Sequence, residues 1–252
     1  MIDFHTHILP RIDDGASSVE ESLALLNALE TQGVHTVALT PHYYGRKRGV
    51  EYFLEKRTEA FRALREAYTG NIRLLQGCEC NLSTCANAEM SNFIPLALEG
   101  TRYILTELSF APQWSEKELF LSRLKELKES VGLTPVIAHA ELYPALQKHP
   151  AWAARLIAMG CLLQINCESV VRAGKNSLVQ ALILHGQAHC LGSDTHNTDR
   201  RPPLYREAAA RLKEWSATAA AGIQQTMSDI VAGASVRVQT GEAVKRKLFG
   251  YA

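Results

Sequence analysis

Short apolar runs recur along the chain, separated by longer stretches whose apolar positions repeat at helical spacing. Seven runs stand out: Ile2 to His5, Thr36 to Thr40, Arg73 to Gly77, Tyr103 to Thr106, Pro135 to Ala138, Cys161 to Ile165 and His189 to Gly192. Each is short and mostly apolar, as a strand buried on both faces must be. The stretches between them are amphipathic. Val19, Leu23, Leu26 and Leu29 fall on one helical face, as do Phe120, Leu124, Leu127 and Val131. Ser17 with Glu20, and Ser115 with Glu118, have the spacing of capping boxes. The alternation predicts repeated βα units around a parallel sheet. After Arg201-Pro202-Pro203 the chain turns alanine-rich, which predicts helices over Leu204 to Ala221 and Gly222 to Ala232. No repeat, linker or low-complexity tract interrupts the 252 residues, so one domain over 1–252 with one core is expected.

Composition removes several classes of function. A formal net charge of +1 provides no basic field for nucleic acid. The opening Met1-Ile2-Asp3-Phe4-His5 is not a basic segment followed by an apolar one, and no apolar run is long enough to span a bilayer. A cytoplasmic protein without membrane insertion is expected. The six cysteines, at 78, 80, 85, 161, 167 and 190, lack CxxC spacing and fit reduced thiols. None is followed six positions later by arginine, so the loop of thiol-based tyrosine phosphatases is missing.

Histidines and carboxylates collect where predicted strands end. His5 and His7 follow the first strand, His42 the second, Glu79 the third, Glu107 the fourth, His139 the fifth, and Asp194 with His196 the seventh. If the sheet closes into a barrel, these ends share the rim where β/α barrels place their active sites. Residues i and i+2 of an extended segment face the same side, so His5-x-His7 can grip one cation and Asp194-x-His196 can offer two ligands together. Asp13 and Asp14 lie just beyond the first pair. A lone His-x-His is weak evidence; Glu79 and Glu107, ending apolar strands, need a cation or hydrogen bonds to be tolerated there. Nitrogen and oxygen donors without thiolate suit manganese, iron, zinc or magnesium. Three divalent ions, about +6 in charge, against about four carboxylates and a hydroxide leave the site attractive to a phosphoryl dianion. His35, His149, His185 and His189 fall away from this rim and are expected only to pack or cap. Cys78 and Cys80 flank Glu79, so alternation turns them away into the core. Arg46-Lys47-Arg48, after His42, stands where it can meet an acidic substrate segment.

Asp3-Phe4-His5-Thr6-His7-Ile8-Leu9-Pro10, followed by Asp13-Asp14-Gly15-Ala16, resembles the polymerase and histidinol phosphatase (PHP) superfamily. Thr40-Pro41-His42, Gly77-Cys78-Glu79, Glu107, Ala138-His139-Ala140-Glu141, Ser193-Asp194-Thr195-His196-Asn197 and Arg201-Pro202-Pro203 narrow the resemblance to the manganese-dependent tyrosine phosphatases of bacterial capsule and exopolysaccharide operons. The motifs recur in order over about the first four fifths of the chain. The resemblance implies an α/β fold, a distorted TIM-like (β/α)7 barrel, holding two or three divalent metal ions, manganese foremost. It implies a phosphotyrosine protein as substrate, a membrane-associated bacterial tyrosine autokinase. Carried over by position, His5, His7, Asp14, His42, Glu79, Glu107, His139, Asp194 and His196 would be metal ligands, and Arg201 would bind the phosphoryl group.

Two departures change the expectation. Leu142 stands where the family has an arginine that touches phosphate, and Arg11 stands where it favours glycine. Arg11 is therefore expected to supply the missing guanidinium, with Arg200 and Arg46 as further substrate contacts. Three alternatives remain open: a phosphatase of the same superfamily acting on histidinol phosphate or a nucleotide, a metal-dependent amidohydrolase, and a phosphotyrosine-binding module that has lost turnover. The amidohydrolase is disfavoured by Glu107, which stands where that class needs lysine.

Overall fold

Among the described residues, nine short parallel strands line the centre of the molecule: β1 (Ile2–Thr6), β2 (Thr36–Leu39), β3 (His42–Tyr43), β4 (Arg73–Gln76), β5 (Glu79–Asn81), β6 (Tyr103–Glu107), β7 (Thr134–Ile137), β8 (Leu162–Asn166) and β9 (Cys190–Gly192). The structure, a computed structural model, describes residues 1–46, 49–110, 117–237 and 241–252. β1, β2 and β4 pair in that order, and β3 pairs with β5, which continues through β6, β7, β8 and β9. β2 and β3 are one stave broken at Thr40 and Pro41, where proline has no N–H to give a ladder. β4 and β5 are likewise one stave broken at Gly77 and Cys78. Two bonds carry the ladder across both breaks, Gly77 N–H to the Leu39 carbonyl at 2.9 Å and Glu79 N–H to the Pro41 carbonyl at 3.0 Å.

The curled sheet closes between β9 and β1. Asp194 N–H donates to the His5 carbonyl at 2.8 Å, His7 N–H donates to the Thr195 carbonyl at 2.9 Å, and Thr6 bridges Thr195. The seven staves are the predicted (β/α)7 barrel, distorted by its two broken members. Gly192 is required at the closure, since a Cβ there would lie 2.5 Å from the His5 Cβ.

All seven predicted strands occur, and β1, β6 and β8 run one residue further, to Thr6, Glu107 and Asn166. The helices outside them bury Leu25, Leu26 and Leu29 of Val19–Thr31, and Phe120, Leu121 and Leu124 of Lys117–Glu126. Leu23 is only partly buried. That rotation moves the first cap: Ser18, not Ser17, accepts the Glu21 N–H at 3.2 Å, and the Glu21 carboxylate returns to Ser17 N–H at 2.8 Å. The capping box therefore lies one residue later than Ser17 and Glu20. Ser115, the cap predicted for the later helix, lies outside the described residues. Val131 falls in a π-turn closed by Gly132 at φ +75° and is half-buried. The C-terminal pair breaks at Ser216, not between Ala221 and Gly222, giving helices Tyr205–Trp215 and Ala217–Val231. Ser216 is extended and its hydroxyl accepts the Ala219 N–H at 3.1 Å, so the cap decides the boundary and Gly222 continues the second helix.

All six cysteines are buried and unpaired, as expected of Cys78 and Cys80 in particular. Among the described residues, no helix is long and apolar enough to cross a membrane.

Candidate metal centre

Strand alternation turns His5 and His7 to the inside of the barrel at its carboxyl end, where both are fully buried. Glu79 starts β5 just above the break in its stave, and Glu107 ends β6. His139 and Asp194 each follow a strand by two residues, and both have positive φ, +33° and +53°. Non-glycine residues held there are strained, and such strain gathers at functional sites.

The nine predicted ligands converge. His5 Nε2 and His7 Nε2 are 3.1 Å apart, and Glu79 Oε2 lies 3.3 and 3.4 Å from them. Asp194 Oδ1 closes on the same pair at 3.6 and 3.4 Å. His42 Nδ1 is 2.9 Å from Glu79 Oε2, and His139 Nε2 is 2.8 Å from Glu79 Oε1 and 3.9 Å from Glu107 Oε1. The exposed Asp14 carboxylate lies 3.4 Å from His42 Nε2 and 3.7 Å from His196 Nε2. Three overlapping sets have donor atoms within 4.8 Å of one another: His5, His7 and Glu79; His42, Glu79 and Glu107; and His7, Asp14, His42 and His196.

The hydrogen-bond partners behind the ligands test whether the donors suit a cation. His7 Nδ1 is 2.7 Å from Asp13 Oδ2, a carboxylate that can only accept, so the proton sits on Nδ1 and the Nε2 lone pair faces inward. His5 Nδ1 is 3.0 Å from Gln164 Oε1, which also accepts the His139 N–H at 2.8 Å. His5 thus presents an Nε2 lone pair as well. Without a cation a proton is drawn to this point: burial opposes it, but Asp13, Asp194 and Glu79 raise the His7 pKa well above its usual value. With both rings neutral, two Nε2 lone pairs would face two carboxylate oxygens, a donor set that suits a divalent cation in the proton's place. His42 Nδ1 points the same way: although 2.9 Å from Glu79 Oε2, it has no hydrogen-bond partner.

The charge balance agrees. Burial opposes ionisation of Glu79, but His5, His139 and His42 outweigh it and hold the carboxyl well below its usual range. Asp194 behaves alike, with His5, His7 and Arg201 overcoming burial. Asp13 is held down to about 2, its burial outweighed by His7. Burial, followed by the neighbouring Glu79, raises Glu107. Burial and the positive charge of His7 and Arg201 lower His196 to about 4.

The arginines divide. Arg201 donates to Asp194 Oδ2 at 2.5 Å and to His196 Nε2 at 2.9 Å, within the centre itself. Arg200 is exposed beside it and lines a cavity of about 200 Å³ with Arg201, Asn166 and Asp194. Arg11, at φ +60°, lines a larger cavity of about 1040 Å³ that opens beside Asp13, Asp14 and His42, and its Nε donates to the Ser17 carbonyl at 3.0 Å. A glycine would adopt that φ without strain, and the chain holds arginine there instead. Arg46 is exposed and does not line that cavity, and Lys47 and Arg48 lie outside the described residues. Leu142 is 39% exposed on the turn just after His139.

Three supporting residues escape a reading that looks for ligands. Asn81 donates to Glu107 Oε2, and Gln164 and Asn166 on β8 stand behind His5 and Asp194. The available signal is a polar i, i+2 pair at the inward positions of an otherwise apolar strand. Asp13, beside the predicted ligand Asp14, turns the other way to hold His7 and the His42 N–H.

The comparisons with known proteins agree with this geometry. The chain is 33% identical over 220 residues to the tyrosine-protein phosphatase CpsB of Streptococcus pneumoniae, covering 82% of this chain and 88% of that one. It is 28% identical over 267 residues to the tyrosine-protein phosphatase YwqE of Bacillus subtilis (strain 168), covering 100% of each. Among solved structures it matches, at TM-score 0.82 and 25% identity over 98% of this chain and 100% of the other, one reported for YwqE from Bacillus subtilis and CpsB from Streptococcus pneumoniae as unique metal-dependent tyrosine phosphatases. A histidinol phosphate phosphatase of Lactococcus lactis subsp. lactis Il1403, at TM-score 0.56 and 13% identity over 85% of this chain and 93% of the other, shares the fold. Residues 1–226 match the family described as capsular polysaccharide synthesis, CpsB/CapC, and the chain belongs to that family.

Proposed function

We propose that the chain is a metal-dependent phosphatase that removes phosphate from tyrosine side chains of a protein, using two or three divalent ions, manganese foremost. The observation that carries this reading is the meeting of His5 and His7 Nε2 lone pairs with Glu79 and Asp194 oxygens at the mouth of the barrel. The residues that would hold the ions are His5, His7, Asp14, His42, Glu79, Glu107, His139, Asp194 and His196. Bound there, the ions supply Lewis-acid charge to phosphoryl oxygens and lower the pKa of water toward neutrality.

The chain's own groups do the rest. Asp13 and Gln164 keep protons on His7 and His5 Nδ1, leaving each Nε2 free to bind. Arg201, a planar donor already seated between Asp194 and His196, is placed to share donors with the equatorial oxygens of a phosphoryl group. Arg11 on the cavity wall and Arg200 beside Arg201 add positive charge on the approach. Tyr44, whose ring lies 5.2 Å from that of His42, forms an aromatic side of the cavity on which a phenyl ring can rest. Cys78 and Cys80, next to Glu79, are not nucleophiles: burial pushes both thiols up. Cys85, whose thiol a hydrogen bond with Cys80 lowers to about 7, does not line the cavity. In this reading water is the nucleophile, and the reaction needs no covalent enzyme intermediate.

The family supports a role in capsule synthesis. The reading adds a cytoplasmic location and, as substrate, a phosphotyrosine protein, a membrane-associated bacterial tyrosine kinase. The test is phosphate release from a tyrosine-phosphorylated kinase tail. Manganese is expected to support turnover, and chelator to abolish it until metal is restored. Turnover by the fully metal-stripped protein would sink the proposal. Equal or faster hydrolysis of histidinol phosphate would replace the substrate while leaving the metal centre.

A further inference from the structure

Of the seven staves, β8 alone brings no predicted ligand to the rim, yet it carries two buried amides there. Gln164 is 0% and Asn166 5% exposed, in a strand otherwise made of Leu162, Leu163 and Ile165. Both face inward because they are two residues apart on an extended strand. Burying two primary amides in an apolar wall is costly unless every donor and acceptor is used.

Here the two side chains form one directed chain. At one end Asp194 Oδ2, a carboxylate oxygen, can only accept, so Asn166 must turn its Nδ2 toward it, at 2.8 Å. That leaves Asn166 Oδ1 to accept from Gln164 Nε2 at 2.9 Å. Gln164 then presents Oε1 to the His139 backbone N–H at 2.8 Å and to His5 Nδ1 at 3.0 Å. The other end demands the same orientation, because a backbone N–H can only donate. Both amides are therefore set from two directions. Glycine at 192 leaves room for the first, since a Cβ there would lie 2.9 Å from Gln164 Nε2.

We propose that Gln164 and Asn166 are positioning residues for the metal centre. Gln164 holds the His5 ring as the Nδ1–H tautomer and anchors the strained backbone of His139, while Asn166 occupies Asp194 Oδ2 so that Oδ1 faces His5 and His7. One strand in this way aligns ligands carried by three others, β1, β7 and β9. The inference rests on the reading of these residues as a metal site. Partners of this kind behind metal ligands change affinity or activity by roughly ten- to hundredfold when removed.

The test titrates zinc, a diamagnetic probe, into the metal-stripped full-length protein and its Gln164→Met and Gln164→Glu variants. Methionine keeps the volume and accepts nothing; glutamate accepts from the same two N–H groups. Gln164→Met is expected to weaken the tightest zinc site by roughly ten- to hundredfold, and Gln164→Glu to recover most of the loss. Melting temperatures of the zinc-free proteins separate this from plain packing, which would lower stability and leave the affinity of the folded protein unchanged. Wild-type zinc affinity in a folded Gln164→Met protein would overturn the inference alone, whereas absence of zinc binding by the wild type would overturn the metal centre with it. If Gln164→Met does not fold, nitrogen-15 spectra of the zinc-loaded wild type decide. A hydrogen-bonded proton on His5 Nδ1 supports the assignment, and a proton on Nε2 refutes it.

Discussion

His139 and His189 are almost equally buried, at 5% and 4% exposure, in the wall of the same barrel, yet their charges are pushed in opposite directions. Burial alone would keep both neutral. At the carboxyl end, burial of His139 is outweighed by Glu79, with help from Asp194 and Glu107, and its pKa rises to about 9. At the amino end, His189 accepts the Leu163 N–H at 3.0 Å on Nδ1, and desolvation lowers it to about 4. The same strands thus build a base that excludes charge and a rim that demands it. The rim carboxylates are what separate an active end from a structural one.

Glu79→Gln strikes this difference hardest. It removes the carboxylate that touches His5, His7, His42 and His139. Phosphate release is expected to fall by more than about a hundredfold, beyond the loss seen when a group merely supports a ligand. In the metal-stripped variant, the His139 pKa should drop from about 9 toward the neutral behaviour of His189, as followed by NMR titration. An unchanged titration would show that the contrast between the two ends has another origin.

The base offers the next largest effect, on stability. Between the unfolded pKa of about 6.5 and the folded value of about 4, the unfolded chain binds the His189 proton and the folded chain does not. Stability contributed by this group is complete above that window and is lost as pH falls through it, by up to about 3 kcal/mol near pH 4. Asparagine at 189 keeps an acceptor for Leu163 N–H and removes the titration. Urea unfolding of His189→Asn should therefore lose less stability between pH 7 and 4.5 than the wild type, and equal losses would clear His189.

Smaller changes sharpen the rim without touching the base. Leu142→Arg restores a guanidinium beside His139 and is expected to raise kcat/KM on a phosphotyrosine peptide by roughly threefold to tenfold, about 1 kcal/mol. Arg11→Gly relieves a positive φ at some cost in unfolded-state entropy, for a net stabilisation of about 0.5 kcal/mol, and should lower kcat/KM by a few-fold. Unchanged turnover in Arg11→Gly would end its proposed role as a substitute guanidinium.

Much of this was legible from local pattern. His5 and His7, two apart at the end of an apolar strand, had to share a face, and Glu79 and Glu107 could not end buried strands without compensation. Asp13 and Asp14 show where such reading stops. They are adjacent and chemically identical, but the turn sends one behind His7 and the other toward His42 and His196. The spacing of Ser17 and Glu20 pointed to a cap one residue too early; Ser18 caps the helix that buries Leu25 and Leu26.

The sequence by itself determined the staves, their order and the residue types at their carboxyl ends, because periodicity and strand alternation depend on neighbours a few residues away. Only the tertiary structure decided that two staves are broken, that the ring closes through His5 and Asp194, and that Arg201 sits on Asp194 and His196. It also decided what Gln164 does. A neutral amide carries no charge to advertise a role, and its meaning lies in the direction of a hydrogen bond to His5, 159 residues away along the chain.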